Sequence, residues 1–294
     1  MKNRNLILDH FWVWLSYLLA ISAGYLTVVL LPGEPVWLRL LIADVVATVV
    51  VFAFSMIFNN SSVYDPYWSV IPIFLALGYW GLAEEEGDPT RQGVAMVIVT
   101  LYGVRLTYNW ARGWRGMGHE DWRYVDFRHK FPRAYWLISF LGIHLMPTLL
   151  VFLGCLPFWS IMAGNSAPFG LADAVAALVA LAAILIEGVA DNQLRRFRKT
   201  NPPKGSIMQT GLWAYSRHPN YFGEILFWWG LALFVLLGDL QNYWQAAGAL
   251  AINLLFVFIS LPLIEQRMRA RRLGYEEHRR RVSRLIPWLP RKGD

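Results

Sequence analysis

Residues Phe11–Leu31 read FWVWLSYLLAISAGYLTVVLL, a run without one charged side chain. At about 1.5 Å per residue, a helix over this stretch crosses about 30 Å, the thickness of a bilayer's hydrocarbon core. The run is longer than the apolar part of a secretory signal and has no small-residue cleavage site behind it, so it reads as a retained span. Seven further stretches are mostly apolar, at roughly 37–57, 67–83, 93–112, 135–157, 169–189, 221–238 and 243–263. Composition agrees: of 294 residues, 56% are hydrophobic and 16% charged, against about 45–50% and about 25% in soluble domains. Mean hydropathy is +0.37. The expectation is an all-α polytopic integral membrane protein of about eight transmembrane helices, with residues 1–294 forming a single membrane domain.

Orientation follows from the basic residues, because Lys and Arg accumulate in cytoplasmic loops. Eight spans put both termini on one side. If that side is the cytoplasm, Lys2, Arg4, the loop Arg105–Arg133, the loop Arg195–Arg217 and the tail Arg267–Lys292 all lie inside. Of 27 Lys and Arg, only Arg39 and Arg91 are then left outside. The acidic run Glu84, Glu85, Glu86 and Asp88 falls outside. Seven spans are possible by length, but they strand one terminal basic cluster on the wrong side. This pattern also accounts for the net charge of +7, so the basic balance implies no nucleic-acid partner, and no nucleic-acid motif or metal-ligand spacing is present. Cys155 is the only cysteine, which excludes an intrachain disulfide and a cysteine-based metal site. Tyr64, Tyr67, Trp68, Tyr79, Trp80, Trp110, Trp114 and Trp122 lie near span ends, where amphipathic rings favour the interface.

Ionisable groups at membrane depth cost about 2.5–3.5 kcal/mol each on insertion scales, so they face a cavity or a partner. In the fourth span Tyr102, Arg105, Asn109 and Arg112 fall at i, i+3, i+7 and i+10, on one helical face. The packing-only alternative is an internal ion pair, for which Asp65 is available. The sixth span ends in Glu187, Asp191, Arg195 and Arg198, again one stripe, with its acids before its bases. That order suits a ligand with hydroxyls or amides at one end and phosphates at the other, although a solvated helix end carries similar charges. A third segment, Gly211-Leu-Trp-Ala-Tyr215-Ser-Arg217-His218-Pro219-Asn220-Tyr-Phe-Gly223-Glu224, sets Pro219 to open the seventh helix with Asn220 and Glu224 one turn apart. Asp44 and His144 are isolated in sequence and read as polar contacts between helices.

These segments resemble a known family. Asp191 to Arg198, Tyr215-Ser-Arg-His-Pro-Asn220-Tyr-Phe-Gly-Glu224 and Leu285-Ile286-Pro287 resemble the C-terminal domain of steroid 5α-reductases. With Asn60-Ser-Ser-Val-Tyr-Asp65-Pro-Tyr-Trp-Ser69 and Glu120-Asp-Trp-Arg-Tyr124 added, the pattern resembles bacterial membrane proteins grouped with those reductases. The similarity runs over 60–290 and is strongest at 187–288. It implies an NADPH-dependent reductase of the carbon–carbon double bond of a hydrophobic enone such as a 3-oxo-4-ene steroid. The substrate would enter from the lipid, in a bacterial cytoplasmic membrane, with the cofactor on the cytoplasmic side. Carried over residue by residue, the substrate carbonyl falls to Tyr102 and Asp65, where the animal enzymes have Glu in a different local sequence. The cofactor falls to Arg105, Asp191, Arg195, Arg198, Tyr215, His218, Asn220 and Glu224. Glu187 replaces an Asn of the animal enzymes, and Glu265-Gln266-Arg267 stands in place of their His-rich stretch. No G-x-G-x-x-G follows a strand, so the dinucleotide site is of a non-Rossmann kind.

Two other readings stand beside this one. Membrane methyltransferases of the isoprenylcysteine carboxyl methyltransferase type share the Arg-His-Pro-x-Tyr-x-Gly segment and a basic tail, with Glu265 before Arg267 as in their S-adenosylmethionine sites. Asp65, Tyr102 and Arg105 are superfluous to such a core. A transporter or lipid-binding scaffold is the non-enzymatic alternative, but its inverted repeats and midplane-broken helices are absent from the sequence.

Overall fold

The computed structural model describes residues 6–83, 87–162, 168–238 and 240–291. Lys2, Arg4, Glu84, Glu85, Glu86 and Lys292 of the orientation argument lie outside the described residues. The chain divides into two compact units, Met1–Pro168 and Phe169–Asp294. Among the described residues there is no β-strand, and a lone parallel bridge joins Ser216 and Ser283.

The first unit holds α1 (Leu6–Leu30), α2 (Val36–Ile57), α3 (Tyr67–Gly81), α4 (Pro89–Gly113), the short α5 (Trp122–Lys130) and α6 (Tyr135–Met162). The second holds α7 (Leu171–Lys199), α8 (Pro219–Leu236), α9 (Gln241–Arg271) and α10 (Tyr275–Arg281). Among the described residues, six helices are long and apolar enough to cross a membrane: α1, α2, α6, α7, α8 and α9. Of the two other expected spans, α3 is only 15 residues long and α4 carries Arg91, Arg105 and Arg112. Leu18 and Leu26 on α1, Leu178 and Leu185 on α7 and Phe258 on α9 stand exposed. An apolar exterior of this extent belongs to an integral membrane protein.

Within the first unit, α1 and α2 pack along each other. Val13, Tyr17, Ala20 and Gly24 form one buried stripe, and Leu40, Ala43, Ala47 and Val51 another. A Cβ on Gly24 would meet the Ala43 carbonyl at 3.2 Å, so small residues set this approach. In the second unit, α8 packs on α7. A Cβ on Gly223 would lie 2.7 Å from the Glu187 Cβ, and one on Gly230 would lie 2.8 Å from the Ala180 backbone. Close packing of small residues is what joins helices in lipid, where the hydrophobic effect gives no drive between apolar faces.

Both interrupted helices widen just before a proline. A π turn over Ser139–Leu145 precedes Pro147, and one over Phe256–Ser260 precedes Pro262. Met146 N–H bonds the Leu141 carbonyl and Leu261 N–H the Phe256 carbonyl, each five residues back. Proline clashes with the carbonyl four residues back, and a wider turn moves that carbonyl aside.

Gly230→Ala overpacks the α7–α8 contact and costs about 1–3 kcal/mol. Its thermal unfolding midpoint in detergent falls, while Gly93→Ala, whose Cβ meets nothing within 4 Å, does not lower it.

Candidate functional site

In the first unit, two segments that stand 59 residues apart in sequence are bonded residue to residue. After α2 ends, Asn59 adopts a left-handed φ of +50°, which Asn tolerates better than most residues. The chain then turns through the 3₁₀ segment Ser61–Tyr64, whose N-cap Asn60 accepts from Ser62 N–H at 2.8 Å. Asn60 Nδ2 donates to the carbonyls of Met117 and His119 at 3.0 and 3.1 Å. Ser61 N–H donates to Glu120 Oε1 at 2.7 Å, and Asp121 N–H to Ser62 Oγ at 2.8 Å. Glu120 also accepts from Tyr135 and lies 3.2 Å from Arg128 Nη2.

This stitching brings Tyr124 to Asp65: the phenol donates to Asp65 Oδ1 at 2.9 Å. Asp65 is half-buried. Burial first, then the nearby Asp121, raises its carboxyl from 3.8 to about 7, against the opposing effects of Arg123 and the Tyr124 hydrogen bond. Burial and the adjacent Asp65 push the Tyr124 phenol above the ordinary tyrosine range. Asp65 is therefore poised to take up or release a proton near neutral pH, while Tyr124 keeps its own.

The tyrosine proposed from the sequence, Tyr102, is fully buried on α4. Arg105 follows one turn later on the same helix. Arg112 Nη2 donates to Asn109 Oδ1 at 2.9 Å, and its guanidinium lies 5.0 Å from the Tyr108 ring centre, so the polar end of this face is partly self-satisfied. The phenol that Asp65 accepts from is Tyr124, which sequence reasoning did not single out. The available signal was Glu120-Asp-Trp-Arg-Tyr124 itself, an aromatic beside a pair of acids in a polar loop.

In the second unit, Asp191, Arg195 and Arg198 occupy the last turns of α7, past the buried Glu187. Gln193 Oε1 accepts from Leu212 N–H at 2.9 Å and the Ala190 carbonyl from Trp213 Nε1 at 3.0 Å. These bonds hold the turn Gly211–Ala214 to that helix end. Gly211 has φ +63°, and a Cβ there would run into the Gln193 side chain, so glycine is required. The tail is tied to the next segment: Ser216 Oγ donates to the Leu285 carbonyl at 2.6 Å, Arg217 N–H to Ser283 at 2.9 Å and Trp288 N–H to Tyr215 at 3.0 Å. Two stretches of the sequence resemblance thus meet through backbone bonds.

Their meeting buries Arg217, His218 and Glu265 together. Arg217 Nη1 pairs with Glu265 Oε1, His218 Nε2 lies 3.5 Å from the same oxygen, and Arg284 Nε lies 3.4 Å from Oε2. Burial first, opposed by Glu265, lowers the affinity of His218 for its proton. Arg217 Nε is buried without a hydrogen-bond partner among the described residues, which leaves a charged donor available for an acceptor oxygen such as that of a phosphate, carboxylate or carboxamide. Asn220 and Glu224 lie in the first two turns of α8, and Glu224 Oε1 accepts from Trp228 Nε1 at 2.9 Å. The Tyr215 side chain is exposed; its firm contact is the backbone bond to Trp288. Glu265 was noted in the sequence as a departure from the reductases and as a point of likeness to the methyltransferases, and it is the hub of this cluster.

Two outcomes follow. In the unfolded chain Asp65 ionises near 3.8, whereas the folded carboxyl keeps its proton to about 7. Its contribution to stability is therefore undiminished below the lower value and falls as pH rises through that window. Infrared difference spectra against Asp65→Asn will show a carboxyl band titrating near pH 7, moved upward in Tyr124→Phe, which removes a bond favouring the ionised form. Separately, Glu265→Gln leaves Arg217 as a buried cation without its counter-charge, a loss of about 3–5 kcal/mol, read as a lower unfolding midpoint in detergent.

The chain was compared with known proteins. No solved structure matches it. The uncharacterized protein C594.04c of Schizosaccharomyces pombe is 28% identical over 257 residues, covering 79% of this chain and 74% of the relative. A family model described as "Protein of unknown function (DUF1295)" matches residues 51–282. That match takes in Asp65, Tyr102, Tyr124, the whole of α7 and α8, and Glu265. The chain belongs to the DUF1295 family, a steroid 5α-reductase-like family of membrane proteins.

Proposed function

We propose that this protein is an NADPH-dependent reductase of the carbon–carbon double bond of a hydrophobic enone, such as a 3-oxo-4-ene steroid, that enters from the lipid. The observation that carries the reading is the Asp65 carboxyl, held beside Tyr124 with a proton affinity near neutrality. NADPH, when bound, supplies the hydride for the β-carbon of the enone. The protein's task is the charge that then gathers on the carbonyl oxygen. A hydrogen-bond donor aimed at that oxygen in a water-poor site lowers the barrier. Tyr102, with its phenol fully buried, is the donor assigned to this oxygen, and Asp65 is the acid that sustains it.

Cofactor binding is assigned to Arg105, Asp191, Arg195, Arg198, Tyr215, His218, Asn220 and Glu224. The chemistry of the second unit suits such a ligand: Arg217 Nε has an unfilled donor position, and Arg195 and Arg198 follow Asp191 along one helix. Guanidinium groups bind phosphate oxygens strongly when desolvated. The eight-span topology with both termini inside puts the Asp65 turn and the Tyr215–Asn220 segment on the cytoplasmic side, where a soluble cofactor is available. A bacterial cytoplasmic membrane is the corresponding home.

A second reading is favoured by one observation: the Arg217–His218–Glu265 cluster is built only from residues that the sequence also shares with isoprenylcysteine carboxyl methyltransferase-type enzymes. In that case S-adenosylmethionine is the ligand. Titration calorimetry of the detergent-purified protein decides between them. Micromolar binding of NADPH without a response to S-adenosylmethionine supports the reductase; the reverse pattern retires it. Tyr102→Phe is expected to bind NADPH as tightly as the parent and to lose at least about a hundredfold in enone reduction, the lower end of what a positioned proton donor contributes. Unchanged turnover removes Tyr102 from the mechanism.

A further inference from the structure

Within the first unit, α1, α2 and α3 line a half-open cavity of about 340 Å³, a volume in the range of small-molecule sites, about 300–1,000 Å³. Its lining includes Gly24, Leu40, Ala43 and Phe74 and is mostly apolar; its polar side chains are the Tyr25 phenol, which is 71% exposed, and the Asp44 carboxyl. Asp44 lies in the third turn of α2 and is only 2% exposed. Its Oδ1 accepts from the Tyr67 phenol at 2.6 Å, whereas Oδ2 has no hydrogen-bond partner among the described residues. None of the residues assigned above to substrate or cofactor lines this space.

A buried carboxyl oxygen calls for a partner. Water is a poor one here, since a buried water needs two to four polar neighbours and a cavity with so few polar atoms stays dry. A lipid acyl chain fills the volume but leaves Oδ2 unbonded. A ketone can accept from a protonated carboxyl and an ammonium can donate to an ionised one, so each matches a single protonation state. A hydroxyl does both. It is also a group that bulk hydrocarbon leaves without a partner, so bonding it to Oδ2 satisfies two polar atoms at once.

We propose that this cavity binds a membrane-dissolved alcohol, its apolar body against α1, α2 and α3 and its hydroxyl on Asp44. The site gives a role to the two N-terminal helices, for which the sequence offered no motif.

The test uses the full chain in lipid nanodiscs and a long-chain alcohol carrying a diazirine, with matched probes ending in a methyl ketone or in a plain alkane. After illumination, crosslinked peptides are assigned by mass spectrometry. The alcohol is expected to label peptides of α1, α2 and α3, and the ketone and alkane about tenfold less, the scale of one buried hydrogen bond. Asp44→Leu should remove this preference. Gly81→Leu, at a lining position where a Cβ meets nothing within 4 Å, should block labelling by filling the space, and it decides the matter if Asp44→Leu does not fold. Equal labelling by the three probes would mean ordinary lipid contact and overturn the proposal, as would a preference for the ketone or labelling that survives Gly81→Leu.

Discussion

A hydroxyl, imidazole or carboxyl inside a bilayer has no water to turn to, so it must find its hydrogen-bond partner in the protein. The first unit is organised by that requirement. His144 Nδ1 lies 2.9 Å from the Ser139 carbonyl, which can only accept, so Nδ1 carries the proton; Nε2 lies 3.0 Å from Ser55 Oγ, whose single proton is shared between it and the Val51 carbonyl at 3.1 Å. The chain of bonds continues from Ser139 Oγ to Ser61 Oγ at 2.8 Å, on to the Tyr135 hydroxyl at 2.7 Å, and ends on Glu120. Thr148 uses its one proton on the His144 carbonyl and accepts from Thr48 and Tyr64, both at 2.7 Å. These contacts tie α2 and α6 to the turn that carries Asp65. The candidate acid is thus fixed by bonds that hydrocarbon makes obligatory, and removing any one of them strands a buried polar atom.

The same requirement explains why the site elements lie at helix ends. A helix satisfies its own backbone within itself except at its termini, and the irregular segments Ser61–Asp65, Met117–Asp121 and Tyr215–His218 make up for their missing helical bonds by bonding to each other or to the tail. Inside the long helices, α6 and α9 each carry a π turn ahead of a proline, α6 turns again at Cys155 and Leu156, and α9 opens as a 3₁₀ segment. Irregular backbone and ionisable side chains therefore collect in the same places, and sequence motifs fall where the two coincide.

How far this was legible from sequence differs by feature. The helices were readable because hydrocarbon imposes a length and composition on anything that crosses it, and α1 and α2 lie where the apolar runs stand. The count was less readable. The run at 67–83 yields only 15 helical residues, because Tyr67 opens α3 and its last apolar residues fall beyond Gly81. Asp44 and His144 were expected to serve as polar contacts between helices, and their bonds to Tyr67 and Ser55 are of that kind. The partner of Asp65 was out of reach: Tyr124 is 59 residues away, and nothing in periodicity links a turn after one helix to a loop after another. Glu265 was hidden differently, since a carboxylate among the arginines of a basic tail looks like a solvated charge until Ser283 and Leu285 fold back onto Arg217 and Ser216 and Glu265 is buried beside them.

The chemistry of each unit bears on the proposed reaction. The Arg217–His218–Glu265 cluster offers charged donors and an acceptor, and that inventory suits an acidic nucleotide or an amino-acid moiety about equally. Chemical identity must therefore reside in the group that meets the second reactant. Transfer of a methyl cation to a carboxylate or thiolate asks for no proton at that place, since the nucleophile arrives with its electron pair and the leaving group departs neutral. Reduction of an enone does ask for one, because the carbonyl oxygen gains charge as hydride adds. A carboxyl raised to about 7, bonded to a phenol that keeps its own proton, is useful to the second reaction and idle in the first. A desolvated acid next to Asp121 is unfavourable to fold around, and proteins keep such arrangements where function depends on them. The cost accepted at Asp65 is the physical argument for a reductase, and it stands on the first unit alone.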